Sequence, residues 1–187
     1  MESTNETSQE ETCGYYLVDA IRRWTGWMTP IVLFDSDNDC ITSFKNRVMH
    51  HPNLYFINID EYNNTFGCFT ERPVNTTDNY TSSTNHFLFS IHSKGSYTSP
   101  TRFYPKEGKI GGVCIHSDSN DGVYGIGYNG FGFSCCNIYN PGTKKTWCNH
   151  LDHTYNNISD ETFTCRPWAY PNYQRYRINR ILVVEMI

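Results

Sequence analysis

The strongest constraint on the fold is a series of short apolar or aromatic segments separated by clusters of Asn, Asp, Ser, Gly and Pro. The clearest of these segments are 31–34, 54–59, 65–69, 87–91, 113–115, 123–126 and 181–184. Short strands between frequent turn residues are typical of an antiparallel β-sandwich, whereas βαβ units would place a helix between successive strands. Residues suited to strands also outnumber the strong helix formers, which excludes an all-helical bundle.

Two short helices are predicted beside these strands. Apolar residues recur at spacings of three and four between residues 15 and 24, as on one face of an amphipathic helix that ends near Gly26. Residues 41–51 are the second candidate, with Phe44 and Val48 on one face. The expected fold class is therefore α+β, mainly β, with two antiparallel sheets packed as a sandwich and a few peripheral helices.

Residues 1–13 are predicted to be a disordered acidic tail. After Met1, the first twelve residues include four Glu and no apolar or basic side chain. No linker or internal repeat follows, so residues 14–187 are predicted to form a single domain. The acidic start lacks the basic and apolar parts of a signal peptide, and this predicts a cytoplasmic or nuclear location.

The charge balance argues against a protein that coats nucleic acid. The chain has 15 Lys and Arg against 19 Asp and Glu, and proteins that neutralise many phosphates carry a basic excess. No segment approaches the roughly 20 apolar residues that a membrane-spanning helix requires. We therefore expect no membrane span.

The order and spacing of several motifs resemble the TLDc domain of the oxidation-resistance proteins, in particular its divergent, Asn-rich protozoan members. The resemblance covers roughly residues 24–187. It rests on the segments Trp24–Gly26, Val32–Asp37, Thr65–Phe69, Phe87–Ile91, Pro100–Phe103 and Arg180–Met186. Gly67, Phe87, Phe89 and Glu185 match the family pattern position by position, whereas the segment from Ser134 to Arg175 departs from it.

The resemblance implies the same two-sheet sandwich and a role in tolerance of oxidative stress. For several family members it also implies contact with the vacuolar proton-pumping ATPase, so subunits of that pump are the expected protein partner. The family brings no set of catalytic residues, and the common hydrolase motifs are absent from the sequence. The favoured interpretation is a non-enzymatic interaction module without a cofactor, and a cysteine-dependent enzyme is a third hypothesis.

The cysteines are the strongest candidates for chemistry. Large chains outside an oxidising compartment need no disulfides, so reduced thiols are expected. The redox candidates are Cys135, Cys136, Cys148 and Cys165. Together with His150 and His153 they raise the alternative of a zinc site, but the spacing is poor, because adjacent residues of a strand point to opposite faces. Ordinary cysteines are therefore favoured over redox thiols, and no metal is predicted.

The segment from Arg166 to Arg180 interleaves four Arg with aromatic residues and has no acidic residue. Such a segment is able to stack bases and contact phosphates of a single strand, and this makes a nucleic-acid-binding regulator the second hypothesis. A surface for a protein partner is favoured instead, since Arg stacking on aromatic rings is common. The candidate partner-binding residues are Trp168, Arg175, Arg177, Arg180 and Glu185.

Overall fold

The computed structural model describes residues 17–24, 26, 29–92, 99–109, 111–118, 121–128, 134–159 and 175–187. The strands are β1 (Pro30–Asp35), β2 (Leu54–Asp60), β3 (Thr65–Thr70), β4 (Thr81–Ser82), β5 (Phe87–His92), β6 (Thr101–Phe103), β7 (Gly112–Ile115), β8 (Gly122–Tyr128), β9 (Ser134–Tyr139), β10 (Trp147–Cys148) and β11 (Ile178–Met186). The helices are α1 (17–24), α2 (Phe44–Val48) and α3 (Leu151–Thr154). The predicted tail, residues 1–13, lies outside the described residues.

The strands of the described chain form two sheets. Sheet A has the order β1-β11-β2-β3-β5-β6, and sheet B has the order β10-β9-β8-β7-β4. All neighbouring strands pair antiparallel. Buried side chains of both sheets, such as Phe56 and Phe66 of sheet A and Tyr124 and Ile126 of sheet B, form one apolar cluster. The predicted sandwich is confirmed.

Sheet A is buried on both faces. In β2, Leu54 and Phe56 belong to the cluster between the sheets, whereas Tyr55 and Ile57 belong to a second cluster on the opposite face. This alternation follows from the period of two along a strand. Helix α1 covers the second cluster with Ala20 and other apolar residues. The molecule therefore has three layers, and the helix layer accounts for the apolar periodicity between residues 15 and 24.

Helix α1 ends as predicted. Gly26 adopts a positive φ of 69°, and its N–H donates to the carbonyl of Arg22 at 2.9 Å, which is the usual role of a glycine just past a helix. The second predicted helix is wrong in length. Helix α2 ends at Val48 after a 3₁₀ turn at Ile41–Ser43, and the left-handed φ of 71° at His50 prevents its continuation.

Gly67 and the Phe pair of β5 occupy the positions that the sequence predicts. A Cβ at Gly67 would lie 1.8 Å from the carbonyl oxygen of Phe56 and 2.9 Å from the ring of Phe89, so only glycine allows this approach. Phe87 and Phe89 are 4% and 0% exposed, as expected for core residues, and they pack in the cluster under α1.

Candidate functional site

The cysteines that were predicted as redox candidates have different environments. Cys136 and Cys148 form a disulfide between directly opposed residues of β9 and β10. The thiol of Cys135 is buried and donates a hydrogen bond to the hydroxyl of Thr154 at 3.4 Å. As expected for a strand, the neighbours Cys135 and Cys136 make contacts with different groups. Cys165 lies outside the described residues.

The disulfide differs from the expectation of reduced thiols. The two cysteines are 12 positions apart in sequence, and a turn at 141–142 returns the chain so that Cys148 lies beside Cys136. Strand register, which sequence spacing does not reveal, brings the two together. The hydroxyl of buried Tyr176 lies 3.2 Å from the sulfur of Cys148, and the bond joins buried Cys136 to half-buried Cys148 at the edge of sheet B.

The remaining described cysteines differ in acidity. Burial raises the pKa of the Cys114 thiol to about 11, and it raises the pKa of Cys68 as well. Cys40 is exposed, and the hydroxyl of Thr42, which donates to its sulfur at 3.2 Å, lowers the pKa of the thiol. Because the thiolate is the reactive form, Cys40 is the accessible thiol of the described chain. Cys40 was not among the predicted redox candidates.

The arginines of the predicted partner-binding segment lie in two different environments. Arg175 and Arg177 are exposed. Arg180 instead makes a bidentate ion pair with Asp35 at 2.9 and 2.7 Å and approaches Asp37 at 3.1 Å. The hydrogen bond from Arg180 holds the pKa of Asp35 below its ordinary value. Arg180 thus joins β11 to the turn after β1. Trp168 lies outside the described residues.

Glu185, the other predicted partner-binding residue, lies near the end of β11. Its carboxylate is 3.0 Å from Nδ1 of His51, in the loop before β2. The carboxylate in an otherwise apolar strand therefore has a polar partner at the edge of the core. Glu185 and Arg180 both make contacts within the domain, and neither lies in the groove described next.

A groove of about 250 Å³ opens where α1 meets β5 and β6. We call it the Arg102 groove, and its lining residues are Trp24, Phe69, Glu71, Thr84, Asn85, Phe87, Arg102 and Tyr104. The guanidinium carbon of Arg102 lies 5.6, 5.5 and 5.5 Å from the ring centroids of Trp24, Phe87 and Tyr104. Contacts of this kind hold an arginine by cation–π attraction, at about 0.5–1 kcal/mol each where exposed.

The groove is lined by two opposite charges that do not form an ion pair. Among the described residues, neither Arg102 nor Glu71 makes a side-chain ion pair or hydrogen bond. Arg102 therefore presents its N–H donors to solvent in an orientation that three rings fix. Arg102 was named from the sequence only as part of the Pro100–Phe103 motif. Its role could not be predicted, because its ring partners come from three separate segments of the chain.

A buried histidine lies on the far side of the start of β5. His86 is fully buried, and its Nε2 lies 2.8 Å from the hydroxyl of Tyr155. Burial lowers the pKa of His86 to about 3, so the ring is neutral near pH 7. A Cβ on Gly111, just before β7, would lie 2.6 Å from this ring. His86 therefore fills a tight space between β5 and sheet B.

These features define an antiparallel two-sheet sandwich with an aromatic, charged groove beneath its first helix. A family model described as TLDc domain matches residues 9–168. The chain belongs to this family. A search of the curated proteins finds no match. The match ends before β11, although β11 lies between β1 and β2 in sheet A. In the described part of the chain, no helix is long and apolar enough to cross a membrane.

Proposed function

We propose that this chain is a non-enzymatic protein-interaction module that acts in the cytoplasm in the response to oxidative stress. Its proposed partner is the vacuolar proton-pumping ATPase. Membership of the TLDc family supports this proposal, and the Arg102 groove is the observation that carries the interaction part of it.

The groove has the properties of a binding site for a charged segment of a partner. Trp, Tyr and Arg are the residue types that dominate protein interfaces energetically, and Trp24, Arg102 and Tyr104 adjoin here. Because the rings already orient the guanidinium, little side-chain entropy remains to be lost on binding. A carboxylate of the partner would accept a bidentate hydrogen bond from Arg102. Glu71 on the same groove suits a cationic side chain of the partner.

The disulfide supports the link to oxidative stress. Strand β10 has two residues, and it is joined to sheet B by its pairing with β9 and by the Cys136–Cys148 bond. Reduction would remove the covalent link and leave this edge strand held by its short ladder and by the hydrogen bonds of its neighbours Thr146 and Asn149. A change of redox state therefore alters how firmly one edge of the domain is held.

The experiment measures binding of the purified proton pump to the intact chain and to Arg102→Gln. We expect the variant to bind at least about tenfold more weakly, as for an interface residue worth more than about 1.4 kcal/mol. Arg22→Gln is the matched control, since Arg22 is also exposed and lies on α1, like Trp24, but does not line the groove. Equal binding by Arg102→Gln, or no binding by the wild type, would contradict the proposal.

The nucleic-acid hypothesis makes a different prediction for the same protein. Arg180 is held by two carboxylates, so it is less available to a phosphate than the exposed Arg175 and Arg177. A single-stranded oligonucleotide is titrated at two salt concentrations. Weak binding that disappears near physiological salt agrees with a protein-interaction module, whereas tight, salt-resistant binding would replace it.

A further inference from the structure

A cluster of metal-ligating side chains lies in the turn after β10. His150, Asp152 and His153 each bring one ligand atom to within 4.8 Å of the others. The two imidazole rings stack with their centroids 4.7 Å apart and their planes at 21°. We propose that these three side chains form a binding site for a divalent metal ion of the zinc class.

The backbone that carries the three ligands is fixed by its surroundings. Leu151 and Thr154 lie between or beside the ligands and are 0% and 1% exposed. The N–H of Tyr155 donates to the carbonyl of Leu151 at 2.8 Å, which closes the turn of α3. The disulfide at Cys148 anchors the chain two residues before His150. The site is thus preorganised, and metal binding would cost little backbone entropy.

The backbone of His150 shapes the turn that carries the three ligands. Its φ of 57° and ψ of 32° place it in the left-handed region. Non-glycine residues adopt this conformation uncommonly, although Asn, Asp and His do so more often than the rest. The left-handed residue His150 lies directly before α3, and residues 152 and 153 lie within that helix.

The donor set identifies the class of ion. Two imidazoles and one carboxylate are ligands of zinc and of neighbouring transition metals, whereas calcium and magnesium prefer oxygen ligands alone. Three protein ligands leave a fourth position for water, as in open zinc sites. Asp152 also supplies negative charge, while Lys106, whose ammonium donates to the backbone carbonyl of Asp152, opposes the ion from a screened, exposed position.

The structure revises the ligand set that the sequence suggested. The zinc alternative combined His150 and His153 with cysteines, but Cys136 and Cys148 are bonded to each other and Cys135 is buried against Thr154. Asp152 takes their place in the cluster. The sequence did not indicate this, because acidic residues next to histidines are common on ordinary surfaces.

The test uses zinc alone and the full chain, purified without a polyhistidine tag. Cys40→Ser serves as the background for all variants, since Cys40 is an exposed thiol that would itself bind zinc. Competition with a chromophoric chelator measures affinity and stoichiometry. We expect one ion per chain. Even the loss of an outer partner of a ligand costs about 10–100-fold in affinity, so His150→Ala and His153→Ala should each lower the affinity at least about 100-fold.

Two further variants make the result specific. Asp152→Asn keeps the size of the side chain but removes its charge, and it should lower the affinity at least about tenfold. His92→Ala is the control, because His92 is an exposed histidine on β5 outside the cluster, and it should bind zinc like the background chain. Far-ultraviolet circular dichroism checks that each variant is folded. The absence of zinc binding by the background chain, or background affinity in any of the three ligand variants, would overturn the proposal.

Discussion

The two sheets of this sandwich are stabilised in different ways. Sheet A is covered by sheet B on one face and by α1 on the other, so apolar clusters lie on both of its faces. Sheet B contains strands such as β9, with the sequence Ser-Cys-Cys-Asn-Ile-Tyr. It is held by particular links, which include the disulfide, the bond of His86 to Tyr155, and that of His116 to Asn137 at 3.0 Å. Burial on two faces therefore stabilises sheet A, whereas sheet B adds specific contacts to burial on the face that it shares with sheet A.

The largest expected effect is acid destabilisation through His86. Its pKa is about 3 when folded, against an ordinary value of 6.5, so between these values the unfolded chain binds a proton that the folded chain does not. The contribution of neutral His86 to the free energy of unfolding is therefore fully present above pH 6.5. Below pH 6.5 it falls by about 1.4 kcal/mol per pH unit, up to about 5 kcal/mol in total. Urea unfolding at pH 6.5 and pH 5 measures this slope before carboxylates such as Asp35 contribute.

His86→Gln is the matched variant for this measurement. Glutamine does not titrate but keeps a polar group near the hydroxyl of Tyr155. Between pH 6.5 and 5 the variant should lose about 2 kcal/mol less than the wild type. Parallel slopes for the two proteins would show that His86 is accessible to protons in the folded state.

The next effect concerns the outer face of sheet A. Phe89 is fully buried between Trp24, at 5.8 Å, and Tyr55, at 5.7 Å between ring centroids. Phe89→Ala should lower the free energy of unfolding by about 3–5 kcal/mol, because it leaves a cavity beneath α1. Val32→Ala, on exposed edge strand β1 of the same sheet, should change it by less than about 0.5 kcal/mol. A loss below 1 kcal/mol for Phe89→Ala would show that α1 does not seal this face.

The disulfide tests the specific links of sheet B. It joins two residues that are 12 positions apart in sequence. The chain-entropy model gives a stabilisation of about 3 kcal/mol for a loop of this size. The double variant Cys136→Ser, Cys148→Ser should lose about this amount in urea unfolding. Dithiothreitol should destabilise the wild type by a similar amount and leave the double variant unchanged. If dithiothreitol leaves the stability of the wild type unchanged, the disulfide does not stabilise sheet B.

The sequence predicts the longer apolar strands and misses the short or polar ones. The apolar runs at 54–59, 65–69, 87–91 and 181–184 correspond to β2, β3, β5 and β11 of sheet A. In sheet B, the runs at 113–115 and 123–126 correspond to β7 and β8. Strands β4, β6, β9 and β10 were missed, because three of them have only two or three residues and β9 is rich in Cys, Ser and Asn. Their strand structure depends on tertiary partners rather than on local pattern.

The candidate site was predicted less well than the fold, for a related reason. Arg102 and Trp24 are 78 positions apart, and only the packing of α1 on β5 and β6 brings them together. Glu185 was noted as a charge in an apolar strand and Arg180 as part of a basic, aromatic segment, but their partners His51 and Asp35 lie far away in sequence. Local patterns identify buried strands, whereas side chains that converge from several segments require the register of the sheets.

The smallest expected effect concerns a polar contact that joins the two sheets. The hydroxyl of Tyr124 in sheet B donates to Oδ1 of Asn58 in sheet A at 2.7 Å, and both residues are fully buried. Burial raises the pKa of this phenol, so it remains a donor at any pH at which the protein is stable. Tyr124→Phe keeps the ring contacts with Phe44 and Phe56 but leaves the amide oxygen without this bond. The expected loss is about 1–2 kcal/mol.

A double-mutant cycle with Asn58→Leu shows whether the contact stabilises the sandwich or only satisfies a buried amide. Removing both polar groups should restore part of the loss, because no group then remains desolvated without a partner. A double variant as stable as the wild type would mean that the bond sets the position of sheet B on sheet A without adding net stability. Losses that simply add would show that Asn58 and Tyr124 act independently, and this bond would then not couple the two sheets.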